Sequence, residues 1–245
     1  MIDYYVGLDL GQASDYTALS IIEEPRYVPP DQDLEIYWNA QATGWISPRL
    51  LGPHGRDHAH AHNDGGGRPS RPVLDVRHLE RLPLGTPYPK VVERVRQALA
   101  QLSTYRVALV VDATGVGMPV VDMLAQAGLG PIAISITGGN SVSTEWGDWN
   151  VRRISVPKRD LVSTVQVLLQ NQRLRIAEAL PEATTLRKEL LAFKVKISLN
   201  AHDSYGNDWR EAPHDDLVLA VALPCWYREW SNVHLDALIQ QGAVA

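Results

Sequence analysis

Cysteine is nearly absent: of 245 residues one is Cys225, which excludes a disulfide framework and a thiolate metal site. It lies in an apolar stretch and reads as a small buried hydrophobe. No apolar run is long enough to cross a membrane and no leader pattern opens the chain, so the expected setting is the cytoplasm, without a membrane partner. No internal repeat is present. Positive charge is not in excess either. With 23 Lys and Arg against 28 Asp and Glu, the net charge is -5, which argues against a non-specific nucleic-acid coat protein. It does not exclude a nuclease, because metal-binding acids lower the total while basic residues gather locally. What is present is ordinary for a globular protein, with 45% hydrophobic and 21% charged residues. That is enough for one large α/β domain, with or without an insertion.

The stretch that organises the chain is Tyr4 to Glu24, YYVGLDLGQASDYTALSIIEE. An apolar run ends at Asp9 and Gly11, and a second run follows from Thr17 to Ile22, as in a hairpin with one carboxylate at the tip of its first strand. A carboxylate at the end of a buried strand is costly unless it coordinates something, so Asp9 is a candidate functional residue. Asp15, in the loop, can reach the same point. Two later stretches answer it. RVALVVDATGVG, Arg106 to Gly117, is a β-branched strand that delivers Asp112 into a glycine-containing turn. HDDLVLAVAL, His214 to Leu223, places Asp215 and Asp216 in the first turn of an apolar helix, where the helix dipole favours negative charge. If the two strands are neighbours and the helix crosses them, the carboxylates converge at one sheet edge. Such a group suits hard divalent cations, Mg2+ or Mn2+, with room for water and phosphate.

Elsewhere the pattern predicts a third strand over 33–42 and a loop or long hairpin tip over 52–72 that is rich in Gly, Pro and His. Its HxHxH spacing has the form of a zinc motif, but no acid or cysteine cluster completes a site. A strand is expected over 73–82, a helix over 90–102, the Asp112 strand, a helix over 118–127 and a buried strand over 132–136. That alternation predicts a parallel half to the sheet. Residues 137–156 read as a long loop or extended hairpin. Its Trp146, Trp149, Arg152 and Arg153 suit stacking on bases and pairing with phosphates, or equally the packing of a loop onto the body. Lys158 and Arg159 extend the basic cluster, a phosphate track or a solvated face. Arg187, Lys188, Lys194 and Lys196 form a second such group. A helix over 157–170, an edge strand over 174–177, a helix over 181–192, a last strand over 193–199 and a polar connection over 202–213 precede the final helix. The domain is expected to span 1–230, with the insertion at about 52–72 and a weakly patterned tail over 231–245.

GLDLGQASDYTAL, VVDATGVG, VPKRDL and HDDLVLAVAL, in that order, resemble the nuclease domain of the large terminase subunit of tailed bacteriophages, over nearly the whole chain. The resemblance implies a ribonuclease H-like α/β fold, a mixed central sheet flanked by helices. It implies two divalent cations, Mg2+ or Mn2+, held by Asp9, Asp112 and Asp216, with Asp215 competing for the third place. Asp15 matches an accessory acid, and His214, heading the last motif, would orient a ligand or carry a proton. The implied activity is endonucleolytic cleavage of double-stranded DNA during viral genome packaging by a two-metal mechanism, leaving 5'-phosphate ends. With nothing that reads bases, little sequence preference is expected. Implied partners are a packaging ATPase domain, a small terminase subunit and a portal, in a host-cell cytoplasm.

A complete terminase also carries a GxxxxGK[ST] phosphate-binding loop. None occurs here, so translocation of DNA is not expected of this chain alone. Other readings use some of the same residues. A Holliday-junction resolvase or another ribonuclease H-like nuclease would employ the same acids on branched DNA. An actin-like ATPase shares GLDLG but needs a second such domain. A silent scaffold would leave a destabilising cluster of like charges unused.

Overall fold

The computed structural model describes residues 2–11, 15–25, 72–115, 117–199 and 215–240, with side chains in the last two segments described to 192 and 233. The expected strand over 33–42, nearly all of the insertion, the 202–213 connection and His214 lie outside these residues.

The described strands are β1 (Tyr4–Asp9), β2 (Ala18–Glu23), β3 (Leu74–Arg81), β4 (Val107–Asp112), β5 (Pro131–Thr137), β6 (Ser143–Trp146), β7 (Arg152–Pro157) and β8 (Leu174–Ile176). The helices are α1 (Tyr88–Ala100), α2 (Gly117–Gln126), α3 (Lys158–Gln170), α4 (Ala183–Leu199) and α5 (Asp216–Gln240). All described strands join one mixed sheet in the order β6-β7-β5-β4-β1-β2-β3-β8. β1, β4, β5 and β7 run parallel, and β2 and β6 run against their neighbours. The parallel half is as the alternation predicts, and so is the α/β class, a mixed sheet flanked by helices.

Sequence explains why β1 and β4 are central. Both are apolar on two faces, and strands covered on both sides lose the polar alternation of an exposed sheet. Tyr4, Val6, Leu8, Leu109 and Val111 face the layer of α1 and α2. Tyr5, Ala18, Ile22, Ala108 and Val110 face the other layer, where α5 lies against β1 and β2 with α3 and α4 beside it. Because α5 is covered on nearly all sides through Tyr227, it is apolar all round rather than striped.

Two residues seat α5 on the sheet. A Cβ at Gly7 would run into the Ala220 carbonyl and the Pro224 ring, so only glycine permits that approach. Pro224, inside the helix, has no N–H for the carbonyl four residues earlier. That carbonyl, of Ala220, accepts instead from the buried Ser20 hydroxyl at 2.6 Å.

One expectation is corrected. Residues 193–199 are not a strand, because α4 continues to Leu199. The alternation FKVKISL mimics a strand, but no glycine or proline stops a helix already under way. The final helix, α5, extends to Gln240. The 137–156 stretch is the extended hairpin of β6 and β7, with β7 a full parallel member of the sheet.

Candidate metal centre

Parallel pairing of β1 with β4 sets Leu8 opposite Val111, so the next residues on each strand, Asp9 and Asp112, stand side by side at the same sheet edge. By alternation both project to the face covered by α5. The start of α5 brings Asp216, and Asp215 immediately before it, over that edge. Asp9 and Asp216 are buried, at 6% and 5% exposure.

The electrostatics record the convergence. Burial, and then the charges of Asp112, Asp216 and Asp215, hold the Asp9 carboxyl well above the usual carboxylate range. Burial also raises Asp112, opposed by hydrogen bonds from Thr114, by Asp9 and by the Lys158 charge. The Thr114 amide donates to Asp112 Oδ1 at 2.7 Å, and the Ile136 amide donates to the Thr114 hydroxyl at 2.8 Å, so the turn after β4 is tied to β5. A Cβ at Gly117 would strike the Asp112 carbonyl, which explains the glycine where α2 begins. After β1 the loop is closed by the Gly11 amide, which donates to the Thr17 hydroxyl at 3.2 Å.

Basic groups border the acids. Lys158 Nζ, at the joint of β7 and α3, lies 3.6 Å from Asp215 Oδ2. An Arg81 Nη lies 3.7 Å from Asp216 Oδ2 and pairs with Glu189. Among the described residues no three His, Cys, Asp or Glu side chains are gathered tightly enough to hold an ion as they stand. The helix carboxylates lie beside Arg81 and Lys158.

Four of the sequence-derived acids, Asp9, Asp112, Asp215 and Asp216, are thus brought together. Asp15 is exposed on the loop between β1 and β2. The basic and aromatic candidates divide. Lys158 and Arg159 follow the end of β7, on the same side of the sheet as the acids, and an Arg159 Nη donates to the Asn140 carbonyl at 3.0 Å. Trp146, Trp149, Arg152 and Arg153 cluster at the beginning of β7, roughly 17 Å away along the strand. There Arg152 sits between Trp146 and Trp230, 5.6 and 5.3 Å from the ring centres, a contact that ties the hairpin to α5. Arg153 lays its guanidinium against Gly147. Trp149 is 64% exposed in left-handed backbone, φ 58°, beside an open cavity of about 430 Å³ that Ile132 and Tyr227 also line.

Arg81 and Glu189 escaped the sequence reading. Arg81 ends β3 in a register row that runs through Ala18 to Asp9. Buried Glu189 of α4 accepts from the amides of Leu217 and Val218 at 3.0 and 3.1 Å, capping α5 from another helix. Each lies among several residues of its own type, and only the sheet register and the helix packing single them out.

No protein-family profile matches the chain, and no curated protein does. Among solved structures, the large terminase nuclease of thermophilic phage G20c is similar with a TM-score of 0.47 and 15% identity, over 93% of this chain and 82% of that one. The human cytomegalovirus terminase nuclease domain, Mn soaked and inhibitor bound, is similar with a TM-score of 0.46 and 8% identity, over 92% of this chain and 83% of that one. Both likenesses are distant.

Proposed function

We propose that this chain is a divalent-cation-dependent endonuclease that cuts double-stranded DNA, the nuclease part of a terminase-type packaging enzyme. The observation that carries the reading is the adjacency of Asp9 and Asp112 on neighbouring parallel strands, with the first turn of α5 placing two more carboxylates over them. The donors are all oxygen, and they suit a hard cation. Burial, and then repulsion by the neighbouring acids, hold Asp9 well above its ordinary value, the condition a bound cation relieves. The residues therefore fit Mg2+ or Mn2+.

Asp9 and Asp112 would hold the cations from the sheet, and Asp216 from the helix. Asp216 is preferred to Asp215 because it is buried, whereas the Asp215 side chain is 31% exposed and faces Lys158. When bound, a pair of divalent cations supplies a water acidic enough to lose its proton near neutral pH and positive charge for the leaving 3'-oxygen. Lys158, bordering the acids, draws a phosphate of the backbone towards the carboxylates, and Arg159 lies next to it in sequence. Asp15 and His214 are proposed as accessory groups. No base-reading element enters the reading, so DNA is taken by its backbone, with little sequence preference. Packaging ATPase, small subunit and portal are the proposed partners, in the cytoplasm of an infected cell.

The test is cleavage of supercoiled plasmid with Mg2+, Mn2+ or EDTA, by wild type and by Asp112→Asn. Nicking and linearisation that need the metal and vanish in the variant are expected. A plasmid left intact by wild type with both metals would refute the reading.

A further inference from the structure

We propose that Arg81 and Glu189 form a positioning pair that sets the third carboxylate of the site; the inference rests on the divalent-cation reading above. Three observations converge on the pair. First, register runs Asp9 to Ala18 to Arg81 across β1, β2 and β3. Arg81 therefore leaves the sheet in the same row and on the same face as the site. Second, its guanidinium is held from three sides. It pairs with Glu189, lies 3.7 Å from Asp216 Oδ2 and sits 4.9 Å from the centre of the Tyr16 ring. Tyr16 belongs to the loop that follows Asp9, so one side chain touches that loop, α4 and α5. Third, one Glu189 oxygen takes the Arg81 contact while the other accepts from both the Leu217 and Val218 amides. Those amides immediately follow Asp216.

The arrangement divides the work. Glu189 fixes the backbone of the first turn of α5, using amides that a helix start leaves without internal partners. Arg81 fixes the side chain of Asp216 by charge and links it to Glu189. Both partners are largely withdrawn from solvent, with side-chain exposures of 15% for Arg81 and 6% for Glu189. Removing one would strand the other's charge, so the pair should act as a unit. Neither residue is proposed to touch substrate or metal. They act on the reaction through Asp216, as outer groups commonly orient metal ligands.

The experiment titrates Mn2+ calorimetrically into wild type, Arg81→Gln, Arg81→Lys, Glu189→Gln and Glu189→Ala, with thermal melts and amide exchange at Leu217 and Val218 alongside. Glu189→Gln keeps an oxygen for the two amides but loses the ion pair. It should retain amide protection and still bind Mn2+ roughly tenfold or more weakly. Glu189→Ala should lose both protection and affinity. Arg81→Gln should match Glu189→Gln, with part of the affinity returned in Arg81→Lys. A purely structural pair would lower the melting temperature and leave Mn2+ affinity of the folded protein unchanged. Wild-type affinity in folded Arg81→Gln and Glu189→Gln overturns the inference alone. If Arg81→Gln fails to fold, Arg81→Lys and Glu189→Gln decide by the same criterion. A flat titration of wild type itself overturns the metal reading, and this inference with it.

Discussion

The Ser20 hydroxyl donates 2.6 Å to the carbonyl of Ala220, the carbonyl that Pro224 leaves without a donor inside α5. A strand residue thus completes a helix broken by proline, where the helix crosses the sheet next to Gly7. Ser20→Ala should cost about 1–3 kcal/mol, because a buried carbonyl loses its partner. In a Pro224→Ala background, where an N–H is restored, the same change should cost much less. Denaturant unfolding of the four proteins of the cycle measures the coupling, and equal costs in both backgrounds would refute it.

Gly7→Ala should destabilise by about 1–3 kcal/mol or more, because its methyl group meets a helix backbone that cannot step aside. The displaced helix carries Asp215 and Asp216. Plasmid nicking should therefore fall in whatever fraction stays folded, which separates this variant from a simple loss of stability.

Asp9→Asn should abolish metal-dependent nicking and, with divalent ions removed, raise the melting temperature. Burial and three neighbouring carboxylates hold Asp9 well above its ordinary range, so ionisation of Asp9 at neutral pH opposes folding. The amide removes that penalty. Mn2+ should raise the melting temperature of wild type and leave the variant nearly unmoved. A variant that melts below wild type in EDTA would show that like-charge repulsion is not what the site stores.

Much of this was legible in the chain, and the failures are physical. Asp9, Asp112 and the Asp215–Asp216 pair announce themselves because each ends or begins an apolar run, where an acid is out of place without a task. The parallel half follows from strand and helix alternation. Residues 193–199 misled because alternating lysines satisfy a period of two while α4, begun at Ala183, continues through them. Arg81 and Glu189 were invisible, since only the register of three strands and the packing of two helices bring them to Asp216. The Trp146 and Arg152 cluster was legible as composition but not as place. Sequence proximity to Lys158 hides that the two lie at opposite ends of β7.

Stability towards acid should depend on Glu229. Burial alone would raise its carboxyl, but Arg173 and Arg228 outweigh burial and hold it below the ordinary value of 4.5. Arg173 makes two bonds to it, at 2.7 and 3.0 Å, and Arg228 one at 2.6 Å. Arg228 also pairs with buried Glu24 at 2.5 Å, so the cluster anchors α5 to the sheet. With a depressed folded value, the stabilisation is complete above the unfolded value and is lost as pH falls through the folded one. Melting temperatures from about pH 7 to about pH 3 should fall more steeply below the ordinary carboxylate range in wild type than in Glu229→Gln. Parallel curves would assign the acid sensitivity elsewhere.

Lys158 and Arg152 should behave oppositely when each is replaced by alanine. Lys158 stands 3.6 Å from Asp215, where a DNA backbone must come if the acids are to cut it. Lys158→Ala should weaken DNA binding evenly across sequences and reduce the slope of affinity against salt by about one. Its melting temperature should stay near that of wild type, since a partly exposed ion pair contributes little to stability. Arg152 is held between Trp146 and Trp230 at the other end of β7. Arg152→Ala should leave plasmid nicking and the salt slope intact while loosening the hairpin, by about 0.5–2 kcal/mol for the lost cation–π contacts. Filter binding across a salt series, with thermal melts of the same preparations, tests both. A reduced salt slope in Arg152→Ala would mean that DNA runs the length of the sheet and touches the tryptophan hairpin as well as the acids. An unchanged slope in Lys158→Ala would move the phosphate contact away from the joint of β7 and α3.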